Sequence, residues 1–201
     1  MWTPWRQKRD RTLSPEVLRE AYSSGYFPMG DAWTRGVRWY RPDPRAILPL
    51  DEFHCSRRLA RRIRRGEFQV EFNQAFRQVM LACADRPDRW ITDEILTAYQ
   101  ALREEGDAHS VEILRDGELV GGVYGVSLGG AFFGESMFHR ATDASKVALH
   151  HLVQRLNERG FALLEIQYLS EHLASLGGVE IPDDEYQDLL ARALAIPTTF
   201  A

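Results

Sequence analysis

The sequence predicts an α/β protein of the α+β kind, a mixed sheet with flanking helices, behind a small N-terminal unit. Three observations lead there. Beyond about residue 66 the hydrophobic period switches between two and about 3.6, giving the order strand, two helices, three antiparallel strands, helix, strand, helix. Asp116-Gly117, a favoured two-residue hairpin turn, separates two of the apolar runs. A chain of 201 residues that is 44% hydrophobic has the material for one main core and a small accessory unit.

The N-terminal unit is taken as residues 1–65 and the main α/β unit as 66–201. Ser14-Pro15-Glu16 reads as an N-cap followed by proline at the first helical position. The helix would bury Val17, Leu18, Ala21 and Tyr22 and stop at Gly25. Tyr26-Phe27-Pro28 follows as a loop. Trp39 to Arg45 contains two prolines in three residues and reads as a rigid extended segment without regular structure.

In the main unit, Phe68 to Phe72 alternates like a strand. Asn73 is placed to cap a helix that turns Phe76, Val79, Met80 and Cys83 inward, and Thr92 to cap another through Ile95, Tyr99 and Leu102 to Gly106. Strands are expected at Ser110 to Leu114, Leu119 to Val126 and Ala131 to Glu135. A helix from Asp143 closes at Gly160, a strand runs from Ala162 to Leu169, and a last helix follows Pro182.

The densest signal is the stretch 121–140. Glycines at 121, 122, 125, 129, 130 and 134 weaken a strand, which points to something approaching the backbone closely, and Glu135 stands at the end of that run. It reads as the wall of a binding cleft; turns and bulges of a plain hairpin would leave the same trace. On the strand 162–169, alternation puts Glu165 and Gln167 on one face and Leu164 and Ile166 on the other. Two polar groups sharing a face make either an exposed strand face or a site.

Composition removes several classes. A net charge of -4 gives no global nucleic-acid signature. Cys55 and Cys83 lie far apart and the six histidines show no zinc spacing, so neither a metal nor a cofactor is expected. The longest apolar run is too short and too rich in glycine for a membrane helix, and the basic N-terminus lacks the apolar stretch of a secretory signal. A cytoplasmic protein is the simplest expectation.

One local cluster breaks the acidic balance. Arg57, Arg58, Arg61, Arg62, Arg64 and Arg65 occur with no acid among them, and on a helix they span an arc of roughly 160°, with Leu59, Ala60 and Ile63 on the remaining side. A solvated charged face is the plain alternative; phosphate binding along a nucleic-acid backbone is preferred, with Arg6, Lys8, Arg9 and Arg11 as a supplement.

Several motifs occur in one order: Ala21-Tyr22 with Gly25-x-Phe27-Pro28, Pro42-Asp-Pro-Arg-Ala46, Trp90-Ile-Thr92, Ala108-His-Ser-Val-Glu112, Gly121-Gly-x-Tyr-Gly125, Gly134-Glu-Ser-Met-Phe138, Ala144-Ser-Lys146 and His172-x-x-Ser-Leu-Gly177. Together they resemble the leucyl/phenylalanyl-tRNA–protein transferases over roughly residues 13–190. That resemblance implies an acyl-CoA N-acyltransferase-like (GNAT-like) fold and an enzyme that moves leucine or phenylalanine from aminoacyl-tRNA to a protein N-terminus, typically Arg or Lys, marking it for degradation. The segment 138–146, where coenzyme A-dependent relatives of the fold carry phosphate-binding glycines, has none, so coenzyme A is not expected as donor.

The resemblance also implies roles. Gln167 would hold the reacting groups, Glu165 would fix and polarise its amide from a position where the family usually has aspartate, and Glu135 would contact the incoming peptide. Trp90, Val123 and Phe132 would line the aminoacyl and adenosine pocket, although by hydrophobicity alone each reads as core. An aminoacyl ester is already activated, so orientation and stabilisation of developing charge are the chemistry required. Two alternatives remain: a different acceptor, such as another N-terminal residue or a cell-wall peptide, and a non-catalytic tRNA-binding module.

Overall fold

A computed structural model describes residues 13–31, 36–87 and 90–201. The basic residues Arg6, Lys8, Arg9 and Arg11 lie outside them. Seven strands form one sheet in the order β4 (Gln69–Phe72), β5 (Ala108–Arg115), β6 (Glu118–Leu128), β7 (Ala131–His139), β8 (Leu163–Gln167), β3 (Arg45–Ile47), β9 (Val179–Ile181). β7 and β8 pair in parallel and every other neighbour antiparallel. A separate ribbon joins β1 (Phe27–Asp31) to β2 (Gly36–Tyr40). This is the mixed sheet with flanking helices that the periodicity implies.

Two apolar clusters sandwich the sheet, because alternate strand residues feed opposite faces. One gathers Leu18 and Tyr22 of α1 (Pro15–Ser23), Val79 of α3 (Phe76–Ala84), Ile95 and Tyr99 of α4 (Asp93–Glu104), and Tyr186 and Leu190 of α7 (Asp183–Leu194). The other gathers Leu59 of α2 (Arg57–Arg64) with Val147, Leu152 and Leu156 of α5 (Ala144–Arg159). A short helix, α6 (Glu171–Ala174), follows β8.

The local signals act as read at several points. Ser14 Oγ accepts from Val17 N–H at 3.4 Å, and Thr92 Oγ1 from Ile95 N–H at 3.4 Å. Asp116 and Gly117 both have positive φ, 54° and 81°, as a tight hairpin turn requires. Gly160 ends α5 with φ 74°.

Other expectations change. The segment around Pro42 and Pro44 is not without regular structure: Trp39 and Tyr40 end β2, and Arg45 begins β3, which enters the main sheet between β8 and β9. Prolines flank these strands without interrupting a ladder. Asn73 does not cap α3; it sits at φ 63° and its Oδ1 accepts from Ser110 N–H at 3.0 Å. Glu112, from β5, reaches the backbone N–H groups of Gln74 and Ala75 just ahead of the helix. The glycine run is approached by the protein itself. A Cβ on Gly121 would meet Ala144 of α5 at 2.6 Å, one on Gly129 the Leu194 carbonyl at 2.5 Å, and one on Gly125 the Phe133 carbonyl at 2.2 Å.

The last of these contacts belongs to the feature that shapes the site. Gly125 pairs with Gly134 and Tyr124 with Ser136, so Glu135 is the extra residue of a β-bulge. The bulge inverts the alternation: Phe133 and Phe138 join the first cluster while Phe132 and Met137 join the second. Gly125→Ala should therefore strain the backbone opposite the bulge and cost about 1–3 kcal/mol, the range for overpacking a filled interior. Urea unfolding of the purified variant measures this; an unchanged midpoint would contradict the close approach.

Candidate functional site

Pairing between the parallel strands β7 and β8 stops at Phe133 and Glu165, and beyond that point no register joins them. A gap in the ladder leaves strand ends free to turn side chains toward one another. Three predicted residues meet there: Glu135 on the bulge of β7, and Glu165 and Gln167 at the end of β8. All three are buried.

Glu165 is held by donors alone. Arg45 Nη1 donates to its Oε1 at 2.9 Å, the Gln167 backbone N–H to the same oxygen at 2.9 Å, and Gln167 Nε2 to Oε2 at 3.2 Å. Because every partner donates, the ionised carboxylate satisfies all of them. Burial pushes the Glu165 pKa up, opposed by the charge and hydrogen bond of Arg45. Arg45, 1% exposed, also donates to the Gly25 carbonyl and lies over the Tyr186 ring at 4.3 Å. Gln167 adopts φ 57°, a left-handed conformation that costs a non-glycine residue about 1 kcal/mol or more. The Glu165 carboxylate offsets that cost by gripping both its backbone and its side chain.

Glu135 has no cation among these partners. Its Oε1 accepts from the Tyr22 hydroxyl at 2.7 Å and from Gln167 Nε2 at 3.4 Å, and its Oε2 lies 3.0 Å from the Tyr99 hydroxyl. The two tyrosine hydroxyls also hydrogen-bond each other. Three oxygen pairs close this ring and two phenols supply only two protons. A third proton, on Glu135, satisfies all three contacts. Burial acts the same way, pushing the carboxyl up to about 8, with the Tyr22 hydrogen bond opposing and the Glu165 charge adding. Two neighbouring carboxyl groups thus have different environments, one paired with a cation and one held by phenols.

The other predicted residues are placed differently. Val123 and Phe132 are buried in the second apolar cluster, Phe132 against Phe161 and Phe200, on the opposite side of the sheet from Tyr22 and Tyr99. Trp90 packs partly buried against the first cluster, and its carbonyl receives the Gly30 N–H at 2.9 Å. The structure does not bring these three together. Instead, a cavity of about 620 Å³ opens beside Glu135, lined among others by Met137, Phe138, His139, Ser170 and His172. Val123 pairs with Met137 in the ladder and so lies next to this lining.

Tyr22, Tyr99 and Arg45 carry the site's hydrogen bonds, and the sequence reading gave none of them that role. Tyr22 and Tyr99 appeared as apolar helix positions, Tyr22 also within the Ala21-Tyr22 motif. Arg45 appeared only as a member of the motif Pro42-Asp-Pro-Arg-Ala46.

The arginine run forms α2 as expected, with Ser56 Oγ accepting from Leu59 N–H at 3.2 Å and Arg65 as C-cap. Arg57, Arg58, Arg61, Arg64 and Arg65 are exposed and Arg62 half-buried. Arg58 and Arg62 approach Asp143, at 3.7 and 3.3 Å, and Arg65 approaches Glu67 at 3.5 Å. Among the described residues no carboxylate lies within 4.0 Å of Arg57, Arg61 or Arg64. Also among the described residues, no helix is long and apolar enough to cross a membrane, and no group of three His, Cys, Asp or Glu is placed to hold a metal.

Comparison with known proteins gives a consistent set of relatives. A family model described as leucyl/phenylalanyl-tRNA protein transferase matches residues 47–191, and the model of that family's N-terminal domain matches residues 11–43. A leucyl/phenylalanyl-tRNA–protein transferase of Gloeobacter violaceus is 54% identical over 189 residues, 94% of this chain and 98% of the relative. One from Salinibacter ruber is 53% identical, covering 92% of this chain and 81% of the relative. Among solved structures, a GCN5-related N-acetyltransferase from Kribbella flavida aligns with a TM-score of 0.45 and 12% identity, over 69% of this chain and 55% of that one.

The protonated ring predicts a pH signature in stability. The folded Glu135 pKa, about 8, lies above its ordinary value of 4.5, so between those pH values the folded state binds more protons than the unfolded. Its contribution is fully present below pH 4.5 and is lost as pH rises to about 8, with a slope of up to about 1.4 kcal/mol per pH unit. Glu165, also raised, adds in the same direction. Urea unfolding between pH 5 and 8 should show a shallower decline in Glu135→Gln than in wild type. Equal slopes would mean that Glu135 carries no extra proton in the folded state.

Proposed function

Since the chain belongs to the leucyl/phenylalanyl-tRNA–protein transferase family, we propose that it transfers leucine or phenylalanine from aminoacyl-tRNA to the N-terminal α-amine of proteins. The acceptors begin typically with Arg or Lys, and the transfer marks them for degradation in the cytoplasm. The observation that carries this reading is the convergence of Glu135, Glu165 and Gln167 where β7 and β8 part.

The chemistry asks little of an acid or base. An α-amine with a pKa of about 7.7–8.0 is partly neutral near pH 7 and attacks the ester carbonyl directly. The Gln167 amide, fixed by Glu165, orients the reacting groups and stabilises the oxygen on which charge develops. Glu135 accepts hydrogen bonds from the incoming N-terminus. The aminoacyl side chain enters the cavity beside Glu135, where Met137, Phe138 and Leu173 supply apolar surface. Val123, opposite Met137 of the lining, borders it, and the exposed arginines of α2 hold the tRNA backbone. In this reading residues 1–65 contribute Tyr22, Arg45 and the arginine helix, and residues 66–201 the strands that bear the reacting groups.

Labelled leucyl-tRNA incubated with peptides that differ only at the first residue tests the activity. Label should pass to peptides beginning with Arg or Lys and not to acetylated ones. Acetylation from acetyl-CoA with no passage of leucine would reverse the reading.

Gln167→Ala should lower single-turnover transfer by about 10²–10³-fold, the scale for one preorganised donor, with tRNA affinity nearly intact. Glu165→Asp should also be slow, because a shorter arm cannot keep Arg45, the Gln167 backbone and the Gln167 amide together. A wild-type rate in both variants would remove the pair from the mechanism.

Replacing Arg57, Arg61 and Arg64 by Ala should weaken different tRNAs alike and flatten the salt dependence, by about 0.7–0.9 in log–log slope per lost phosphate contact. Binding titrations at several salt concentrations decide this. An unchanged slope would leave α2 as a solvated face.

A further inference from the structure

The arginine helix and the cavity beside Glu135 meet at one corner of the molecule. Arg62 donates to the Thr142 carbonyl at 3.2 Å and pairs with Asp143, the residue that begins α5. Two residues on, Ser145 lines the cavity, as do His139, Arg140 and His172, with Glu135 in the same lining. Ser145 Oγ lies 3.5 Å from His139 Nδ1. Lys146 and His139 stand near His172, whose imidazole is held below its ordinary pKa first by burial and then by those two groups.

His139 is exposed, and Lys146 and His172 are half-buried, so solvent and ligands reach all three. Among the described residues none has a carboxylate within 4.0 Å. The acids in the cavity lining are Asp85, which stands beside Arg86, and Glu135, which is engaged with Tyr22 and Tyr99. His139 and His172 on the cavity wall, with Lys146 beside His172 and no carboxylate within reach, favour an anion between them.

We propose that His139, Lys146 and His172 form a phosphate subsite that receives the 5′-phosphate of the terminal adenosine of the donor. The inference rests on the aminoacyl-tRNA reading of the site. A cavity of about 620 Å³ is large enough for a nucleoside. With the ester at Glu135 and Gln167, the nucleoside's 5′ side faces the basic wall, and the preceding nucleotides leave toward Arg62 and the rest of α2. The subsite therefore links two features that the sequence shows separately, the arginine stripe and the Ala144-Ser-Lys146 motif.

Minimal donors isolate this contact. Leucyl-adenosine and leucyl-adenosine 5′-monophosphate are compared as donors to a peptide that begins with Arg. In wild type the phosphate should raise kcat/KM about tenfold or more, mainly through KM, as expected for one or two charge-assisted hydrogen bonds. In a variant carrying His139→Gln, Lys146→Gln and His172→Gln that ratio should fall toward one. Equal use of both donors by wild type, or a full preference retained by the folded variant, would overturn the subsite. If the triple variant does not fold or the minimal donors are not used, competition against leucyl-tRNA in wild type and the single variants decides. AMP should compete better than adenosine, and lose that advantage when any of the three is replaced; equal competition by AMP and adenosine in wild type refutes the subsite. Failure of leucyl-tRNA itself as a donor would instead remove the transferase reading on which the subsite rests.

Discussion

A buried ion pair, Arg45 with Glu165, fixes the geometry on which the rest of the site depends. Two charges almost wholly removed from water are stabilising only when their remaining hydrogen-bonding capacity is used. Here most of it is used, Arg45 Nε alone of the pair's buried polar atoms having no partner. Arg45 reaches back to the Gly25 carbonyl, stacks over Tyr186 and points Nη1 at Glu165. Glu165 spends the rest of its capacity on Gln167, from two sides. The short strand β3 thus does more than extend the sheet: it delivers the cation that lets a carboxylate sit at the end of β8 and hold a glutamine in a left-handed conformation. A lysine could supply charge at this point but not the planar fork that serves a carbonyl and a carboxylate together.

The second constraint comes from strand geometry. The bulge at Glu135 turns one acid of β7 toward Tyr22 and Tyr99, and the end of pairing after Phe133 opens room beside it. Without a cation, that acid keeps its proton within a ring of phenols. Two carboxyl groups close enough to share Gln167 are thereby prevented from repelling each other, one being charged and the other neutral. Such a site holds an amide beside an uncharged carboxyl group.

Much of the framework was legible in the sequence because it depends on local chemistry. Ser14 and Thr92 cap their helices, Asp116-Gly117 turns its hairpin and Gly160 ends α5, each through contacts within a few residues. The face shared by Glu165 and Gln167 follows from strand alternation. What escaped depends on partners far along the chain. Asn73 looked like a cap until Ser110 claimed its side chain and Glu112 took the helix N-terminus. The glycines suggested a ligand, and helices α5 and α7 and the protein's own strands fill the space instead. Val123 and Phe132, given to the pocket by the family resemblance, belong to the second core cluster, where Val123 pairs with Met137 of the cavity lining. Tyr22, Tyr99 and Arg45 come from three separate elements, so no periodicity could bring them together.

The coupling from Arg45 through Glu165 to Gln167 is tested most directly by the single-turnover rate of leucine transfer in Arg45→Gln, with tRNA affinity measured on the same folded protein. A positioning residue that touches no substrate should lower the rate by about 10²-fold through lost orientation, with tRNA affinity unchanged. A wild-type rate in a folded Arg45→Gln protein would contradict the central claim that this ion pair sets the catalytic geometry.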